Sequence, residues 1–360
     1  MRLVSLTLSQ FRNHSKRAFS FSPKTTVIVG ANAIGKTNIL EAIHVLSTGT
    51  SFRADVDREM IFYEKEIARV TGRVQDERGE ESVLEVMLTT GTVGGEHAPL
   101  KKYLVNGVSK RMMDYVGSVR CVIFWPQDLE LITHSPSRRR RYLDSVLSQV
   151  DREYRRTLVS YEKGLRSRNK LLDRIREGLA KRQELLFWDQ LLIRHGEYIS
   201  RKREEFINFI NSQNWKIDEK IMHVVYDHSH ISEARLAKYA QEEVLAATTL
   251  VGPHRDDFLI EVQMSKLKSQ NVEGRNLHSY GSRGEQRLAV LWLKVSQLTF
   301  IQSQTGQRPA LLLDDIFSEL DHEHRALVME VVPKQQTIIT TTDEHLIAGS
   351  RDFHLVRLAI

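Results

Sequence analysis

The sequence predicts an α/β protein that carries an inserted helical lobe, and three stretches support this prediction. Residues 30–37 read Gly-Ala-Asn-Ala-Ile-Gly-Lys-Thr, which fits the G-x-x-x-x-G-K-[ST] pattern of a phosphate loop. An apolar run, Ala310 to Leu313, is followed by two aspartates. Between these stretches, residues 137–213 repeat apolar residues at helical spacing. We therefore expect a nucleotide-binding α/β domain that is interrupted by a helical insertion.

The first predicted elements are two strands and a helix. Val4, Leu6 and Leu8 alternate with polar residues, which is typical of a half-buried strand. The β-branched run from Thr25 to Val29 predicts a buried strand directly before the phosphate loop, and the residues from Lys36 to Ser47 predict a helix directly after it. A loop that leads into a helix N-terminus offers several backbone N–H donors and the favourable end of the helix dipole to a phosphate group.

The next part of the chain predicts an antiparallel sheet. Strand patterns occur near residues 67–74, 83–88 and 103–108, and the last contains Asn106-Gly107, a strong hairpin-turn dipeptide. Residues 91–99 predict a mobile loop. Cys121 to Trp125 predicts another buried strand, which Pro126 ends.

The middle of the chain predicts a helical hairpin. Ser135 or Ser137 is a candidate cap for a helical region that runs to about residue 213, with a break around Gly178. An arm of about 35 residues would reach roughly 50 Å. We place this lobe at residues 136–247 and the nucleotide-binding domain at 1–135 and 248–360.

The last third of the chain predicts a return to α/β structure. Predicted strands are Phe258 to Ile260, Thr337 to Thr341 and Asp352 to Leu358, and predicted helices are Leu288 to Ile301 and Leu327 to Val332.

Composition favours a soluble protein. The chain is 41% hydrophobic and 27% charged, and it has no apolar run long enough for a membrane span and no signal-peptide pattern at its start. We therefore expect a cytoplasmic protein without a membrane partner. A single cysteine, Cys121, excludes an intramolecular disulfide, and its apolar neighbours predict a buried thiol.

The charge of the chain is uneven. Residues 137–210 contain 19 Lys and Arg against 11 Asp and Glu, so their net charge is +8, whereas the whole chain carries +6. A basic segment attached to a nucleotide-binding domain favours a polyanionic partner, and nucleic acid is the commonest one. A solvated helical surface is the alternative.

Two carboxylates complete a site for ATP hydrolysis. Hydrolysis needs a second contact to Mg²⁺ and a group that orients the attacking water. Asp314 and Asp315 follow an apolar strand, so we assign Asp314 to Mg²⁺, together with the Thr37 hydroxyl, and Asp315 to the water. Lys36 would bind the β- and γ-phosphates.

Further motifs resemble those of known ATPases. Ser318-Glu319-Leu320-Asp321 resembles the D-loop of ABC-type ATPases, and Ser282-Arg283-Gly284-Glu285-Gln286 resembles their signature loop. Taken as a whole, the chain resembles the bacterial RecF family of recombination proteins. The residues that carry this resemblance are Phe11-Arg12-Asn13, Gly30 to Asn38, Leu40 to Ile43, Phe124, Pro126, Asp128-Leu129, Ser135-Pro136, Arg139 to Asp144, Arg168-Asn169, Leu171-Leu172, Trp188-Asp189, Gly252 to Asp257, Ser282 to Arg287, Leu312 to Asp321 and Thr340 to Thr342.

The resemblance implies an ABC-type, SMC-like ATPase head with a mixed sheet and a compact helical lobe. It implies ATP and Mg²⁺ as cofactors and a dimer that sandwiches two ATP molecules. The residues implied in nucleotide binding are Arg12, Asn13, Gly30, Ala31, Asn32, Ala33, Ile34, Gly35, Lys36, Thr37 and Asn38. Those implied to act from the partner protomer are Ser282, Arg283, Gly284 and Gln286, with Ser318 and Asp321 in the D-loop and Gln127 near Mg²⁺ and the attacking water.

The resemblance also implies a role in DNA replication, recombination and repair. The dimer would clamp single- or double-stranded DNA at gaps or junctions and help RecO and RecR load RecA. Because Asp315 is one methylene shorter than the glutamate of transporter ATPases, we expect slow hydrolysis. The DNA-binding role implies that DNA stimulates this hydrolysis. The alternatives are an SMC-like DNA-tethering ATPase, a transporter ATPase subunit and a scaffold that uses ATP only structurally.

Three features depart from the family pattern or leave a choice open. Ala33 stands where many relatives have glycine, which is tolerable if that position needs no positive φ. No histidine occupies the switch position near residues 340–343, so a threonine or Asp343 would replace it. Arg138, Arg139, Arg140 and Arg141 lie just inside a predicted helix start, where cations oppose the dipole and need an anion. DNA phosphate is the preferred anion, and carboxylates of the ATPase head are the alternative.

Overall fold

The structure is a computed structural model that describes residues 1–213, 216–217, 220–264, 274–318, 320–343 and 353–358. Its contacts divide the chain into two compact units, residues 1–128 with 291–360, and residues 129–290. Residues 129–135 and 248–290, which the sequence analysis assigned to the ATPase head, pack within the second unit. One reason is that residues 257–264 pair with the strand at 220–227. Packing alone does not define a functional domain, so the boundaries at 135 and 248 stay a prediction.

The elements of the described residues follow in chain order. The strands are β1 (Arg2–Phe11), β2 (His14–Ser20), β3 (Thr25–Val29), β4 (Ile67–Gln75), β5 (Glu81–Thr89), β6 (Thr92–Val93), β7 (Glu96–His97), β8 (Lys101–Val105), β9 (Val108–Lys110), β10 (Cys121–Phe124), β11 (Lys216–Ile217), β12 (Lys220–Asp227), β13 (Asp257–Met264), β14 (Arg275–Asn276), β15 (Ala310–Asp314), β16 (Thr337–Thr341) and β17 (Phe353–Arg357). The helices are α1 (Lys36–Thr48), α2 (Met112–Tyr115), α3 (Glu130–Thr133), α4 (Pro136–Val150), α5 (Arg152–Arg176), α6 (Leu186–Ser212), α7 (Glu233–Lys238), α8 (Ala240–Ala246), α9 (Leu277–Tyr280), α10 (Arg283–Thr305) and α11 (His322–Val331).

The first unit contains the predicted antiparallel sheet, whose strand order is β2-β1-β4-β5-β8-β9. Asn106 and Gly107 both have positive φ, 50° and 77°, and join β8 to β9 as the hairpin signal predicts. The sequence analysis did not predict β2, which turns back on β1 through Arg12, a residue with φ 52°. The segment predicted to be a mobile loop, 91–99, contains the short paired strands β6 and β7.

A second sheet of this unit is parallel and has the order β10-β15-β16-β3-β17. Its central strands β15, β16 and β3 are almost fully buried, which explains why they are continuous apolar or β-branched runs rather than alternating ones. The register sets Asp314 beside Thr340, and Thr340 beside Ile28. The last strand predicted from the sequence is β17, although Asp352 lies outside the described residues.

Helix α1 packs against strands of both sheets. This position explains why it is buried nearly all round, including Glu41 and His44. The parallel sheet and α1 therefore fix the phosphate loop at one end, because the loop joins β3 to α1.

The second unit contains a helical hairpin of α5 and α6, preceded by α4. Gly178, with φ 75°, lies in the predicted break. The arms have 25 and 27 residues, so each spans about 40 Å rather than the predicted 50 Å. Ser135 occupies the N-cap position of α4, but its side chain makes no capping hydrogen bond.

The lobe contains a sheet as well as helices, whereas the sequence pattern predicted mostly helical structure to about residue 213 and no strand in the lobe. Strand β12 lies inside the predicted lobe, residues 136–247, and pairs with β13 in a four-stranded sheet of order β11-β12-β13-β14. Met222 and Val224 of β12 are buried and their neighbours are more exposed, so the strand shows the alternation of a half-buried sheet. Within the described ranges, no helix is both long and apolar enough to cross a membrane.

Candidate nucleotide-binding site

The phosphate loop connects β3 to α1 in the first unit. Gly35 is the residue before the helix and has φ 106°, a conformation that L side chains rarely adopt. Ala33 also has positive φ, 62°, a conformation that is unfavourable for alanine. The substitution of alanine for the glycine of many relatives therefore strains the backbone at this position. The loop therefore keeps its shape with one strained residue.

The turn between β1 and β2 packs against the loop. A Cβ atom on Gly35 would lie 2.5 Å from Oδ1 of Asn13 and 2.8 Å from Nε2 of His14, so only glycine fits. Asn13 donates from Nδ2 to the carbonyl of Ile34 (3.1 Å), and Nε2 of His14 bonds the carbonyl of Gly35 (3.2 Å). Burial lowers the pKa of His14, although the bond to Gly35 opposes this effect. Asn13, which was predicted to assist nucleotide binding, thus contacts the loop itself, and His14 is a loop contact that was not predicted.

The Lys36 side chain folds over the loop. Its ammonium group donates to the carbonyls of Gly30 (2.7 Å) and Ala31 (3.0 Å). Burial lowers the pKa of Lys36, while Asp315 and Asp314 raise it in part. The cation is therefore held beside the loop and near the two carboxylates.

The ends of three elements meet at Asp314. The Thr37 hydroxyl, in the first turn of α1, donates to Oδ1 of Asp314 (3.0 Å), and the Thr340 hydroxyl of β16 donates to the same oxygen (2.7 Å). Asp314 is only 5% exposed. A hydroxyl and a carboxylate are oxygen donors of the kind that Mg²⁺ prefers. The two residues predicted to hold the metal are thus in contact although they are 277 positions apart.

Asp315 begins a tight turn after β15. Its φ is 49°, and its N–H donates to the carbonyl (3.1 Å) and the hydroxyl oxygen (3.2 Å) of Thr340. Thr340 therefore fixes both aspartates. A threonine was one of the two replacements predicted for the switch histidine, and Thr340 is a threonine that contacts both aspartates. Asp343 instead interacts with Thr341, whose hydroxyl donates to its carbonyl (3.2 Å).

The D-loop candidates follow directly. The Ser318 hydroxyl donates to the carbonyl of Asp315 (2.6 Å), and Asp321 caps α11 by accepting from the N–H of His324 (2.9 Å). This backbone hydrogen bond lowers the pKa of Asp321. Glu319 lies outside the described residues.

Gln127 follows β10, the strand beside β15, in a short 3₁₀ turn. Its side chain is exposed, whereas the next residue, Asp128, is buried and pairs with Lys294 (2.7 Å). Asp128 also accepts a hydrogen bond from the N–H of Trp125 (3.0 Å). Burial raises the pKa of Asp128 and Lys294 opposes this rise. The buried pair anchors the turn that carries Gln127, a role that the sequence analysis did not assign.

Arg12 is committed to an ion pair. Its guanidinium binds both carboxylate oxygens of Glu41 (2.8 and 2.6 Å) and the carbonyl of Glu59 (2.6 Å). Arg53 binds Glu41 as well (2.9 Å) and donates to Asn38. Burial alone would raise the pKa of Glu41, but the hydrogen bonds from Arg12 and Arg53 outweigh it and the pKa is lowered. These contacts brace Arg12 beside the loop, and its predicted part in nucleotide binding stays a prediction.

The outer rim of the loop borders a pocket. Ala31, Asn32 and Ala33 line it together with Lys16 and Arg17 of β2. Asn32 is exposed, so its side chain is accessible as the prediction requires. The two cations were missed because β2 was not predicted.

The signature candidates lie in the second unit, at the start of α10. The Ser282 hydroxyl accepts the N–H of Glu285 (3.3 Å), and the Glu285 carboxylate accepts the N–H of Ser282 (2.9 Å). This reciprocal pattern is a capping box, and the S-x-x-E spacing announces it in the sequence. Gln286 donates to the carbonyl of Leu277 (3.0 Å), and the nearest atom to a Cβ on Gly284 would be 4.0 Å away. The segment is thus a braced helix N-terminus with open space at Gly284.

Comparison with known proteins shows what the chain is related to. The RecF/RecN/SMC N terminal domain matches residues 2–358. The DNA replication and repair protein RecF of Herpetosiphon aurantiacus is 36% identical in an alignment of 370 positions, which covers 95% of this chain and 94% of that protein. The protein of the same name from Roseiflexus castenholzii is 35% identical in an alignment of 391 positions, which covers 99% of this chain and 95% of that one. The chain belongs to the RecF family.

Solved RecF structures have the same fold. The recombination mediator protein RecF-ATPrS of the RecFOR pathway matches with a TM-score of 0.85 and 30% identity, over 99% of this chain and 96% of that one. RecF-ATP of the same pathway matches with a TM-score of 0.82 and 32% identity, over 95% and 92%. An Smc head domain from Pyrococcus yayanosii, 14% identical with a TM-score of 0.54 over 98% and 94%, shares the fold alone. The predicted ABC-type, SMC-like head is confirmed.

The RecF-specific motifs meet in the second unit. Asp257 accepts two hydrogen bonds from the buried guanidinium of Arg139 (2.5 and 2.9 Å), and the Tyr161 hydroxyl bonds Nδ1 of His254 (2.8 Å). Gly252 has φ 126°. All of these except Tyr161 belong to the motifs that carry the family resemblance, and their contacts join α4 to β13 and α5 to the turn before β13.

A buried arginine of this RecF lobe was missed. Arg203, on α6, binds Asp144 (2.8 Å), Asp256 (3.0 Å) and the carbonyl of Pro253 (2.6 Å). It lies four residues after Ile199 and three before Phe206, both buried. A cation on the apolar face of a helix is the signal that could have identified it, because a buried charge requires partners.

The four arginines of the RecF linking motif have different surroundings. Arg139 is 5% exposed and bonded to Asp257, so its surroundings favour the carboxylate alternative over DNA phosphate. Arg140 donates to the carbonyl of Asp256 (2.8 Å), and Arg138 pairs with Glu130 (3.1 Å). Arg141 is exposed and remains a DNA candidate. The anion that the helix start requires is thus, for Arg139, a carboxylate of its own unit.

Proposed function

We propose that this RecF-family chain is an ATP-dependent DNA-binding protein of recombinational repair, whose ATP-driven dimer clamps DNA. The observation that carries the proposal is the contact of Thr37 with Asp314 beside the phosphate loop, at 3.0 Å. A nucleotide-triphosphate site requires this union of a loop hydroxyl with a strand-end carboxylate. The related RecF proteins solved as RecF-ATPrS and RecF-ATP support ATP as the ligand.

ATP would bind with its phosphates at the loop. The backbone N–H groups between Gly30 and Gly35 and the start of α1 would bind the phosphates, and Lys36 would bind their β- and γ-oxygens. Its present contacts with two loop carbonyls hold the ammonium group beside this position. Asn32 and the cations of β2 would line the nucleotide where the pocket opens.

Thr37 and Asp314 would hold Mg²⁺, which neutralises charge on the β- and γ-phosphates when it is bound. Thr340 keeps the Asp314 carboxylate oriented toward Thr37. The Asp315 carboxylate would polarise the attacking water, with Gln127 nearby. We expect hydrolysis to be slow, because Asp315 has a short side chain on a backbone fixed at φ 49°.

The signature segment would act in the dimer. Ser282, Arg283, Gly284 and Gln286 would face the γ-phosphate bound by the partner protomer, and Ser318 and Asp321 would line the same interface. The capping box at Ser282 gives this role a rigid base, since the Ser282 side chain and N–H are both fixed by Glu285. ATP binding would close the dimer on DNA and hydrolysis would reopen it.

We place this activity in the cytoplasm, at gaps or junctions of DNA. RecO and RecR would act with the clamp to load RecA on single-stranded DNA, a partnership that membership of the RecF family favours. Contacts to DNA would be mainly to phosphates, and binding would therefore depend strongly on salt.

ATP hydrolysis and sedimentation, each with and without duplex DNA, test the proposal. We expect ATP to produce a dimer whose hydrolysis DNA stimulates, Lys36→Arg to weaken hydrolysis, and Ser282→Arg to spare ATP binding but abolish the dimer. The matched control is Ser109→Arg, on an exposed strand of the first unit, which should dimerise normally. A chain that stays monomeric and ignores DNA would contradict both the signature role and the DNA role.

A further inference from the structure

We infer that the outward face of α5 binds the phosphate backbone of duplex DNA. The inference rests on the proposed function for the identity of the ligand, and it adds the residues that contact it. Six cations follow one another along this helix at intervals of three, four or seven residues. We call them the α5 stripe: Arg152, Arg156, Lys163, Arg166, Lys170 and Arg174.

The stripe is narrow and continuous. At 3.6 residues per turn, all six side chains fall within an arc of roughly 80°. All six residues are exposed, and the one other residue on this line between Arg152 and Arg174 is Val159, 39% exposed.

The opposite face of α5 fixes the direction of the stripe. Tyr154, Tyr161, Gly164, Arg168 and Leu172 are buried and lie on the far side of the helix. They pack within the second unit, so α5 cannot rotate to hide the stripe. The cations therefore have a defined and outward orientation.

Little charge on the helix neutralises the stripe. Glu153, Glu162 and Asp173 lie outside the arc of the stripe, although Glu162 interacts electrostatically with Arg166, and Glu177 comes only beyond its end. Arg156 has a long ion pair with Glu153 (3.7 Å). In the described part of the chain, Lys163, Arg166 and Lys170 have no carboxylate within ion-pair distance, 4.0 Å.

The neighbouring helix shows what an ordinary solvated face looks like here. Exposed residues of α6 alternate in sign, with Arg194 and Arg201 separated by Glu197 and followed by Glu204. Arg201 also pairs with Glu205 at 3.9 Å. The two helices have similar lengths and the same unit, so the one-sign row belongs to α5 specifically.

The dimensions and chemistry of the stripe fit duplex DNA. Arg152 to Arg174 spans about 33 Å at 1.5 Å per residue, which is close to one helical turn of B-DNA, about 34 to 36 Å. Duplex DNA carries about one charge per 1.7 Å of axis, so several phosphates lie within reach. The stripe has no aromatic side chain on which unpaired bases could stack, which favours a duplex over a single strand. A row of cations that follows the helix axis is suited to the phosphate backbone, so we expect little sequence preference.

The test measures duplex binding as a function of salt for a stripe variant and a matched control. The stripe variant is Arg166→Ala/Lys170→Ala, and the control is Arg194→Ala/Arg201→Ala on α6, which removes the same charge. Fluorescence anisotropy with ATP and duplexes of about 30 base pairs, roughly three turns, gives the affinity between about 50 and 200 mM salt. The slope of log K against log salt is negative. We expect it to become shallower by about 2 in the stripe variant and to change little in the control.

Other outcomes overturn the inference in distinct ways. Equal slopes for the stripe variant and the control, with normal wild-type binding, would remove the α5 site and leave the DNA-binding function intact. A loss that depends on sequence or is confined to single-stranded DNA would exclude a duplex-backbone site. Absence of duplex binding by the wild type would overturn the DNA-binding function itself. ATP hydrolysis without DNA should be equal in all three proteins, which shows that the variants are folded.

Discussion

At the scale of single residues, the phosphate loop and the end of β15 each contain one side chain on left-handed backbone. Ala33 has φ 62° and Asp315 has φ 49°. A left-handed L residue costs roughly 1–2 kcal/mol, and such residues collect at functional sites where the surroundings hold them. Around Asp315 the holding contacts are visible, because Thr340 accepts its N–H. Of the two residues, Ala33 is the one whose backbone strain a substitution can relieve.

Ala33→Gly should stabilise the chain. We expect a gain of up to about 1 kcal/mol, because the relief of strain exceeds the entropy that glycine loses on folding. Ala31→Gly, in the same loop but without positive φ, is the control and should destabilise slightly. Thermal unfolding measures both. The explanation fails if the two variants shift Tm in the same direction.

His44 should make stability depend on pH. Burial lowers its pKa to about 4, whereas an unfolded histidine titrates near 6.5. The unfolded chain therefore binds more protons between these values, and the free energy of unfolding should fall as the pH drops from about 6.5 to about 4. His44→Gln should flatten this dependence in part, since His254 has a similarly lowered pKa, to about 4. Denaturant unfolding at several pH values measures it, and a slope equal to that of wild type would contradict the prediction. The exposed His97→Gln is the control.

Single residues also show how far the sequence could be read. Lys36, Thr37 and Asp314 could be assigned because each lies at a fixed offset from a glycine or from a strand end. The partner of Arg139 could not, because Asp257 is 118 positions away and only the fold brings it near. The positive φ of Ala33 was also beyond reach, since local sequence allowed either sign.

At the scale of elements, one ion pair ties helix α4 to strand β13. The Arg139 guanidinium binds Asp257 with two hydrogen bonds and also donates to the carbonyl of His134 (2.7 Å). Its side chain is 6% exposed and that of Asp257 is 18% exposed, so water offers little replacement. Removing one partner leaves the other charge poorly solvated.

Arg139→Ala should therefore destabilise the second unit by about 3 kcal/mol or more, the range for a broken buried pair. Arg141→Ala, two residues away and exposed, should change stability by less than about 0.5 kcal/mol. The double variant Arg139→Met/Asp257→Asn should recover part of the loss, because it removes both charges. Urea unfolding of the three variants distinguishes a structural Arg139 from one that is dispensable for folding.

Elements were predictable where their pattern was long. Helices α5, α6 and α10 have many turns of consistent periodicity, and the strands of the phosphate site are continuous apolar runs. Strand β12 was missed because the sequence was interpreted as helical to about residue 213 and no strand pattern was recognised after it. Strand β2 was missed because its charged outer positions hide the alternation of apolar and polar residues. Both strands depend on pairing for their identity: β2 pairs with β1 directly before it, and β12 pairs with β13, about 30 residues later.

At the scale of the whole molecule, the proposed dimer makes a prediction about mixed protomers. Lys36→Ala removes the phosphate lysine and Ser282→Arg blocks the signature segment, so each variant alone should hydrolyse ATP poorly. In a mixture, one composite site of the heterodimer would combine the intact Lys36 of one protomer with the intact Ser282 of the other. We expect hydrolysis to return in the mixture. A mixture as inactive as its components would argue for sites complete within one chain, and Lys36→Ala mixed with Lys36→Arg is the negative control.

The parallel sheet also determines when the nucleotide site forms during protein synthesis. Thr37 is separated from Asp314 by 277 residues, and β3 finds its two neighbours only in β16 and β17. At about 5–20 residues per second, the ribosome adds the aspartate roughly 15 to 55 s after the loop. Throughout this interval the buried strand before the loop has no neighbour in its sheet. A nascent chain that stalls before residue 314 thus carries a phosphate loop without the carboxylate proposed to hold Mg²⁺, and the site is completed only near the end of translation.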